Sequence, residues 1–178
     1  MLLDLSRIRA AEEHFDRAYQ PEVFGVKPET AEVGDFRVIA PVSLALDVFK
    51  DKDLFRLAGT VKTTLELLCS RCLDPFSLPV DARFDLRYQP QTANTGEGER
   101  EIREDDLTTA FYENEQIDLG QLMREQFYLS VPMKPLCGGS CQGLCAICGT
   151  NLNRGTCTCA PVVEDPRFAA LKELRTKH

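Results

Sequence analysis

The chain has 178 residues, a formal net charge of −7, 43% hydrophobic residues and eight cysteines. That length suits one domain, or one with a small appendage, with a real core. The charge argues against binding nucleic acid through bulk electrostatics, and no apolar run approaches the length of a transmembrane helix. The first residues, Met1-Leu-Leu-Asp4-Leu-Ser-Arg7, hold no apolar run long enough for a signal peptide, since Asp4 and Arg7 interrupt it. A cytoplasmic protein with reduced thiols is therefore expected.

In residues 1–32, Leu5, Ile8, Ala11, Phe15 and Ala18 form a helix-like stripe, with Glu12, Glu13, Asp16 and Arg17 on the other side. Pro21 and Gly25 break it, and a short strand at Leu2–Leu5 is a competing reading. His14 is expected as an exposed helix histidine. Residues 33–89 alternate with period two in three runs: Val42 to Val48, Leu57 to Leu67 and Phe76 to Tyr88. This pattern predicts half-buried antiparallel strands. Cys69-Ser-Arg-Cys72 falls between the second and third runs, at an expected hairpin tip. Pro79 points to a free edge on the third strand, and Gly59 to a bulge.

Residues 90–106 are polar, and within 97–106 six acids face only Arg100 and Arg103, which predicts a solvated loop. Strand or irregular chain is expected at 107–113. Asp118 is a good helix N-cap and Gln121 can complete a capping box. Leu119, Leu122, Met123 and Phe127 then form a buried stripe, and Pro132 ends the helix. Asp165-Pro166 is a second helix start, with Phe168, Leu171 and Leu174 on one face and a basic tail.

Six cysteines lie between Cys137 and Cys159, spaced C-x3-C-x3-C-x2-C-x8-C-x-C. A C-x2-C pair can turn both sulfurs toward one ion, and the glycines at 138, 139, 143, 149 and 155 suit such turns. Clustered thiolates in a reducing compartment point to zinc, held tetrahedrally. Disulfides, unliganded thiols and iron–sulfur chemistry are the competing readings, although the closely repeated C-x2-C-x2-C pattern of a ferredoxin is missing. The favoured division is Cys145, Cys148, Cys157 and Cys159 as a local knuckle, with Cys69, Cys72, Cys137 and Cys141 as a second site. A single zinc site remains the alternative. Residues 131–159 contain Lys134 and Arg154 and no acid, so these two cations are the candidate nucleic-acid contacts. Neither an acid nor a histidine accompanies the cysteines of that stretch, which disfavours a zinc enzyme with its catalytic base. A thiol redox pair at Cys69 and Cys72 is a further alternative, but such pairs usually open a helix.

The reading is thus an α+β protein: an antiparallel β-sheet meander packed by one or two helices over residues 1–136, then a C-terminal cysteine-rich zinc knuckle and short helix over 137–178. Several segments together resemble the YceD family: Cys69-Ser-Arg-Cys72-Leu, Asp118-Leu119, Leu129-Ser-Val-Pro132-Met-Lys-Pro-Leu-Cys137, Cys141-Gln-Gly-Leu-Cys145-Ala-Ile-Cys148-Gly-Thr-Asn151-Leu-Asn153, Cys157-Thr-Cys159 and Asp165-Pro166-Arg167. Ala146 departs from the proline many relatives carry there, a change that leaves the thiols untouched. The family is a bacterial and plastid domain linked to accumulation of large-subunit ribosomal RNA. The resemblance implies a role in ribosome biogenesis; with no catalytic base beside the thiols, the expected protein is a non-enzymatic zinc-binding factor that supports accumulation or processing of 23S (large-subunit) rRNA. Its partner would be ribosomal RNA, a large-subunit ribosomal protein or an assembly factor, with no membrane and no small-molecule substrate. A zinc-dependent enzyme or thiol redox protein of RNA metabolism is the alternative.

Overall fold

A computed structural model describes residues 1–24, 36–91 and 109–159. The expected acidic loop and the helix at Asp165-Pro166 lie outside these residues. The three alternating runs form strands β4 (Val42–Asp51), β5 (Leu54–Leu68) and β6 (Pro75–Pro90), a continuous antiparallel meander. Their period-two pattern works because directly opposed residues share a face: Leu46, Gly59 and Phe84 line up across the three strands on the buried side. Val42, Leu44, Leu46, Val48, Leu57, Val61 and Leu65 are each at most 2% exposed.

Two further strands flank the meander. β2 (Glu12–Tyr19) pairs antiparallel with β4, and β7 (Thr109–Tyr112) pairs with the end of β6. The β6–β7 pairing is parallel, so the sheet is mixed rather than purely antiparallel. A two-residue β3 (Arg37–Val38) continues on β5 beyond the reach of β4. β1 (Leu2–Asp4) and β8 (Gln116–Asp118) make a separate two-stranded sheet. Among the described residues β6 is paired on only one side from Pro75 to Leu86, and Pro79, which has no N–H to donate, sits in that stretch.

The N-terminal stretch corrects the helical expectation. Leu5 and Ile8 are buried, but by way of a single 3-10 turn (Leu5–Arg7) capped by the Asp4 side chain. Phe15 belongs to β2, whose ladder to β4 satisfies the backbone while Phe15 and Tyr19 pack on the core. The period-two signal is faint there because β2 is an edge strand rich in charge, a composition that blunts such edges. His14 is exposed, on a strand rather than a helix. Its Nδ1 meets Asp47 at 2.6 Å and its Nε2 meets Asp16 at 3.1 Å. The hydrogen bond it donates to Asp47, then that to Asp16, raises its pKa.

Among the described residues one α-helix, α1 (Leu119–Ser130), covers the buried face of the sheet. Asp118 caps it, accepting from the Gly120 and Gln121 amides at 2.8 and 3.4 Å. Gln121 does not complete the capping box; its side chain donates to Glu125 at 3.0 Å instead. Leu119, Leu122, Met123 and Phe127 are buried as expected, and Val131 ends the helix before Pro132. No helix among the described residues is long and apolar enough to cross a membrane.

Gly59 marks no bulge, because the register runs unbroken through it on both sides. It is required for close approach: a Cβ there would lie 2.3 Å from the Ala45 carbonyl oxygen and 3.0 Å from Phe84 Cζ. Gly59→Ala should therefore destabilise the fold by about 1–3 kcal/mol through overpacking, read as a lower midpoint in urea unfolding. An unchanged midpoint would mean that β4 moves aside freely.

Candidate metal centres

The hairpin joining β5 to β6 turns at Cys69-Ser-Arg-Cys72-Leu-Asp74. The Leu73 amide donates to the Cys69 carbonyl at 2.9 Å, and the Cys69 amide to the Asp74 carbonyl at 2.9 Å. Leu73 takes a left-handed φ of 60°, uncommon for a leucine. The second C-x2-C pair repeats this construction residue for residue. Gly149 donates to the Cys145 carbonyl at 2.9 Å, Cys145 donates to the Thr150 carbonyl at 2.8 Å, and Gly149 has φ 72°. In both turns the residue after the second cysteine reverses the chain through positive φ, leaving both sulfurs on one side. Of the glycines in the run, Gly143 and Gly149 have positive φ.

The segment after α1 lies on the hairpin tip. Ser70 donates to the Pro135 carbonyl at 2.8 Å and Leu144 to the Arg71 carbonyl at 3.0 Å. The Arg71 guanidinium donates to the Cys141 carbonyl at 2.9 Å. Gly143 approaches so closely that a Cβ would sit 3.0 Å from the Arg71 carbonyl oxygen.

These contacts gather the eight thiols into two sets, Cys69, Cys72, Cys137 and Cys141, and Cys145, Cys148, Cys157 and Cys159. Within each set the four sulfurs lie within 4.8 Å of one another. In the first set, Cys69 and Cys141 sulfurs are 3.8 Å apart and those of Cys72 and Cys137 3.7 Å, although the partners lie 72 and 65 positions apart in sequence. Four thiolates at about 2.3 Å from one tetrahedral zinc would have their sulfurs about 3.8 Å apart. The donor set thus fits a tetrahedral, thiophilic ion, and all eight cysteines are free thiols. The first set is the more enclosed: Cys69, Cys72 and Cys141 are at most 7% exposed and pack with Phe76 and Leu136. The second is partly open, with Cys148 exposed.

Crowding splits the thiol affinities for protons. Backbone hydrogen bonding from Cys137 brings Cys69 down to about 6, whereas the neighbouring thiols of Cys141, Cys69 and Cys72 push Cys137 up to about 12. In the second set the Thr150 hydroxyl, 3.1 Å away, leads the causes that bring Cys148 down to about 6. Cys148 itself leads the causes that push Cys159 up to about 12. Each set thus yields a first thiolate readily and a last one only when a cation offsets the gathered charge.

The two candidate RNA contacts differ. Lys134 is exposed, beside the fully exposed Met133. Arg154 reaches back to Asp74 of the hairpin tip, Nη2 to Oδ1 at 2.9 Å, so it ties the loop of the second cysteine set to the sheet. Asp74, Asn151 and Asn153, which join the two sets, carry no periodic or spacing signal by which sequence reasoning could have found them. Among the described residues, no histidine or carboxylate belongs to either set.

A family model described as "Large ribosomal RNA subunit accumulation protein YceD" matches residues 57–175. The protein named "Large ribosomal RNA subunit accumulation protein YCED homolog 1, chloroplastic" of Arabidopsis thaliana is 27% identical over 167 residues, covering 82% of this chain and 52% of that protein. Its Zea mays namesake is 31% identical over 144 residues, covering 68% of this chain and 49% of that protein. An uncharacterized protein of Mycobacterium leprae is 27% identical over 129 residues, covering 70% and 57% respectively. The chain spans about half the length of the curated relatives it matches. No solved structure matches it.

Proposed function

The chain belongs to the YceD family, and from that premise we propose that it is a non-enzymatic, zinc-binding factor of ribosome biogenesis that supports accumulation or processing of large-subunit ribosomal RNA. The ribosomal assignment rests on the family and on the printed names of the plant relatives. The observation that carries the rest is the pair of four-thiol sets. A tetrahedral ion held by four thiolates has no position left for water or substrate, the arrangement of structural rather than catalytic zinc. Cys69, Cys72, Cys137 and Cys141 would hold one ion, and Cys145, Cys148, Cys157 and Cys159 the other. Bound there, zinc supplies a cross-link between the hairpin tip and the segment after α1. The C-x2-C pair of the first set sits between two strands, which lends no support to a thiol redox role built on a helix start.

The partner is ribosomal RNA, a large-subunit ribosomal protein or an assembly factor, met in the cytoplasm of a bacterial cell. With a net charge of −7, contact with RNA must be local, and the exposed Lys134 is the candidate cation. Arg154 is a poor probe of such contact because its reversal would set a carboxylate against Asp74. Loss of the protein should lower mature large-subunit RNA relative to small-subunit RNA. On a sucrose gradient the protein should migrate with large-subunit precursors. Lys134→Glu should weaken that association and make it less sensitive to salt, the log–log slope falling by roughly one unit for each phosphate no longer neutralised. Unchanged RNA ratios on depletion, with no co-migration at any salt, would refute the ribosomal reading. Co-migration indifferent to Lys134→Glu and to ribonuclease would replace RNA by a protein partner.

A further inference from the structure

A path of hydrogen bonds runs between the two thiol sets, through residues that neither set requires as donors to an ion. Asn153 lies between Cys148 and Cys157 and so belongs by sequence to the second set. Its side-chain amide nevertheless donates to Cys141 Sγ of the first set, at 3.3 Å. The Oδ1 of the same side chain accepts from the Gln142 amide, next to Cys141, at 2.7 Å. Asn151 Oδ1 accepts from both the backbone amide and Nδ2 of Asn153, each at 3.0 Å. Asn151 in turn donates to Asp74 Oδ2 at 2.7 Å, and Arg154 holds Asp74 Oδ1 at 2.9 Å. The Asp74 carbonyl accepts from the amide of Cys69 at 2.9 Å. The path thus leaves the loop of the second set and ends on Cys141 and Cys69, two thiols of the first.

We infer that Asn153 is a positioning residue that couples the two sites, so that loading either one with metal favours loading the other. The inference rests on the metal reading proposed above. Two effects combine. Gathering Cys145, Cys148, Cys157 and Cys159 on one ion fixes both ends of the loop that carries Asn151 and Asn153. The entropy of ordering that loop is then already lost when Asn153 meets Cys141. Four thiolates on a dication also leave the group net negative, and an N–H donor on one sulfur favours that charged state and orients the ligand. Because the coupling is a free energy shared by two binding events, it acts equally in both directions. Asp74 serves from the other end: it holds Asn151 by its side chain and the Cys69 turn by its backbone.

Zinc titrated against a chromophoric chelator tests this in three proteins: the wild type, Cys145→Ser/Cys148→Ser, which keeps only the first site, and Cys69→Ser/Cys72→Ser, which keeps only the second. The overall constant for taking up two ions in the wild type should exceed the product of the two single-site constants by about tenfold or more. Asn153→Ala should abolish the excess although Asn153 is not a ligand. With cadmium-113 in place of zinc, each site gives its own NMR resonance, assigned from the two cysteine variants. Asn153→Ala should move the resonance of the Cys69, Cys72, Cys137 and Cys141 site, which a residue that merely supports the loop would leave in place. Should Asn153→Ala not fold, Asp74→Ala, which removes the acceptor that Asn151 donates to, should likewise abolish the excess. An overall constant equal to the product, or an excess that survives the loss of Asn153, would overturn the coupling. No zinc uptake by any of the three proteins would overturn the metal reading itself, and the coupling with it.

Discussion

Changing Cys69 and Cys72 together to serine should release one of two metal ions and free the chain from Pro135 onward, while the sheet stays folded. The reason lies in how the first set is assembled. Its two halves come from a hairpin tip and from a segment 65 to 72 positions later, joined by single hydrogen bonds: Ser70 to Pro135, Leu144 to Arg71, Arg71 to Cys141, Asn153 to Cys141, and Asn151 and Arg154 to Asp74. Each such hydrogen bond contributes only about 1 kcal/mol net, whereas structural zinc sites in small peptides are worth about 10–16 kcal/mol. Without the ion, the docking of the segment is left to those bonds. The hydrophobic core does not depend on it, since Val42 to Val48, Leu57 to Leu65 and α1 pack with one another. Native mass spectrometry should find one zinc in place of two, and limited proteolysis should cut between 130 and 145 while circular dichroism keeps its β signal. Unchanged zinc content in this variant would place the metal elsewhere and break the account of the first set.

Phe127→Ala should have the opposite pattern. Phe127 is completely buried and meets Phe24 and Phe36 edge-on, with ring centroids 5.7 and 5.8 Å away. Truncating it leaves a cavity where α1 joins the N-terminal residues, a change that typically costs about 3–5 kcal/mol. Against a typical domain stability of about 5–15 kcal/mol, that removes a large fraction. Thermal unfolding should move down by many degrees, while the metal content of the folded fraction stays at the wild-type value, because Phe127 is absent from the group of residues packed around Cys69, Cys72 and Cys141. A melting temperature close to wild type would show that the cavity collapses; loss of metal from still-folded protein would show that core and thiol sets are not separable.

Legibility from sequence followed burial. Where one face of a strand is wholly buried, as in β4, β5 and β6, the period-two pattern locates the element and its hairpin. The edge strand β2 sets Arg17 on the same face as Phe15 and Tyr19, so its alternation is broken and a helical spacing at Leu5, Ile8 and Phe15 competes with it. The parallel pairing of β7 with β6 leaves no local sequence mark, because parallel partners are joined by a long connection rather than a tight turn. Cysteine spacing indicated the two C-x2-C turns, but Leu73 in a left-handed conformation was not foreseeable: the chain reversal that brings Cys69 and Cys72 together demands it there, as Gly149 supplies it in the matching turn. Asp74, Asn151 and Asn153 are ordinary polar residues in loops, and only the folded arrangement brings them onto one path. Gly59 stands out in the sequence as a special position but not in kind, since a bulge and a close backbone approach both call for glycine.

The most direct measurement is the zinc content and thiol state of protein purified without added metal. Native mass spectrometry of the folded chain, compared with the acid-denatured chain, should give two zinc ions per molecule. All eight cysteines should become free to thiol reagents only after the metal is removed. A folded chain that carries no zinc and whose cysteines titrate as disulfides would contradict the account at its centre.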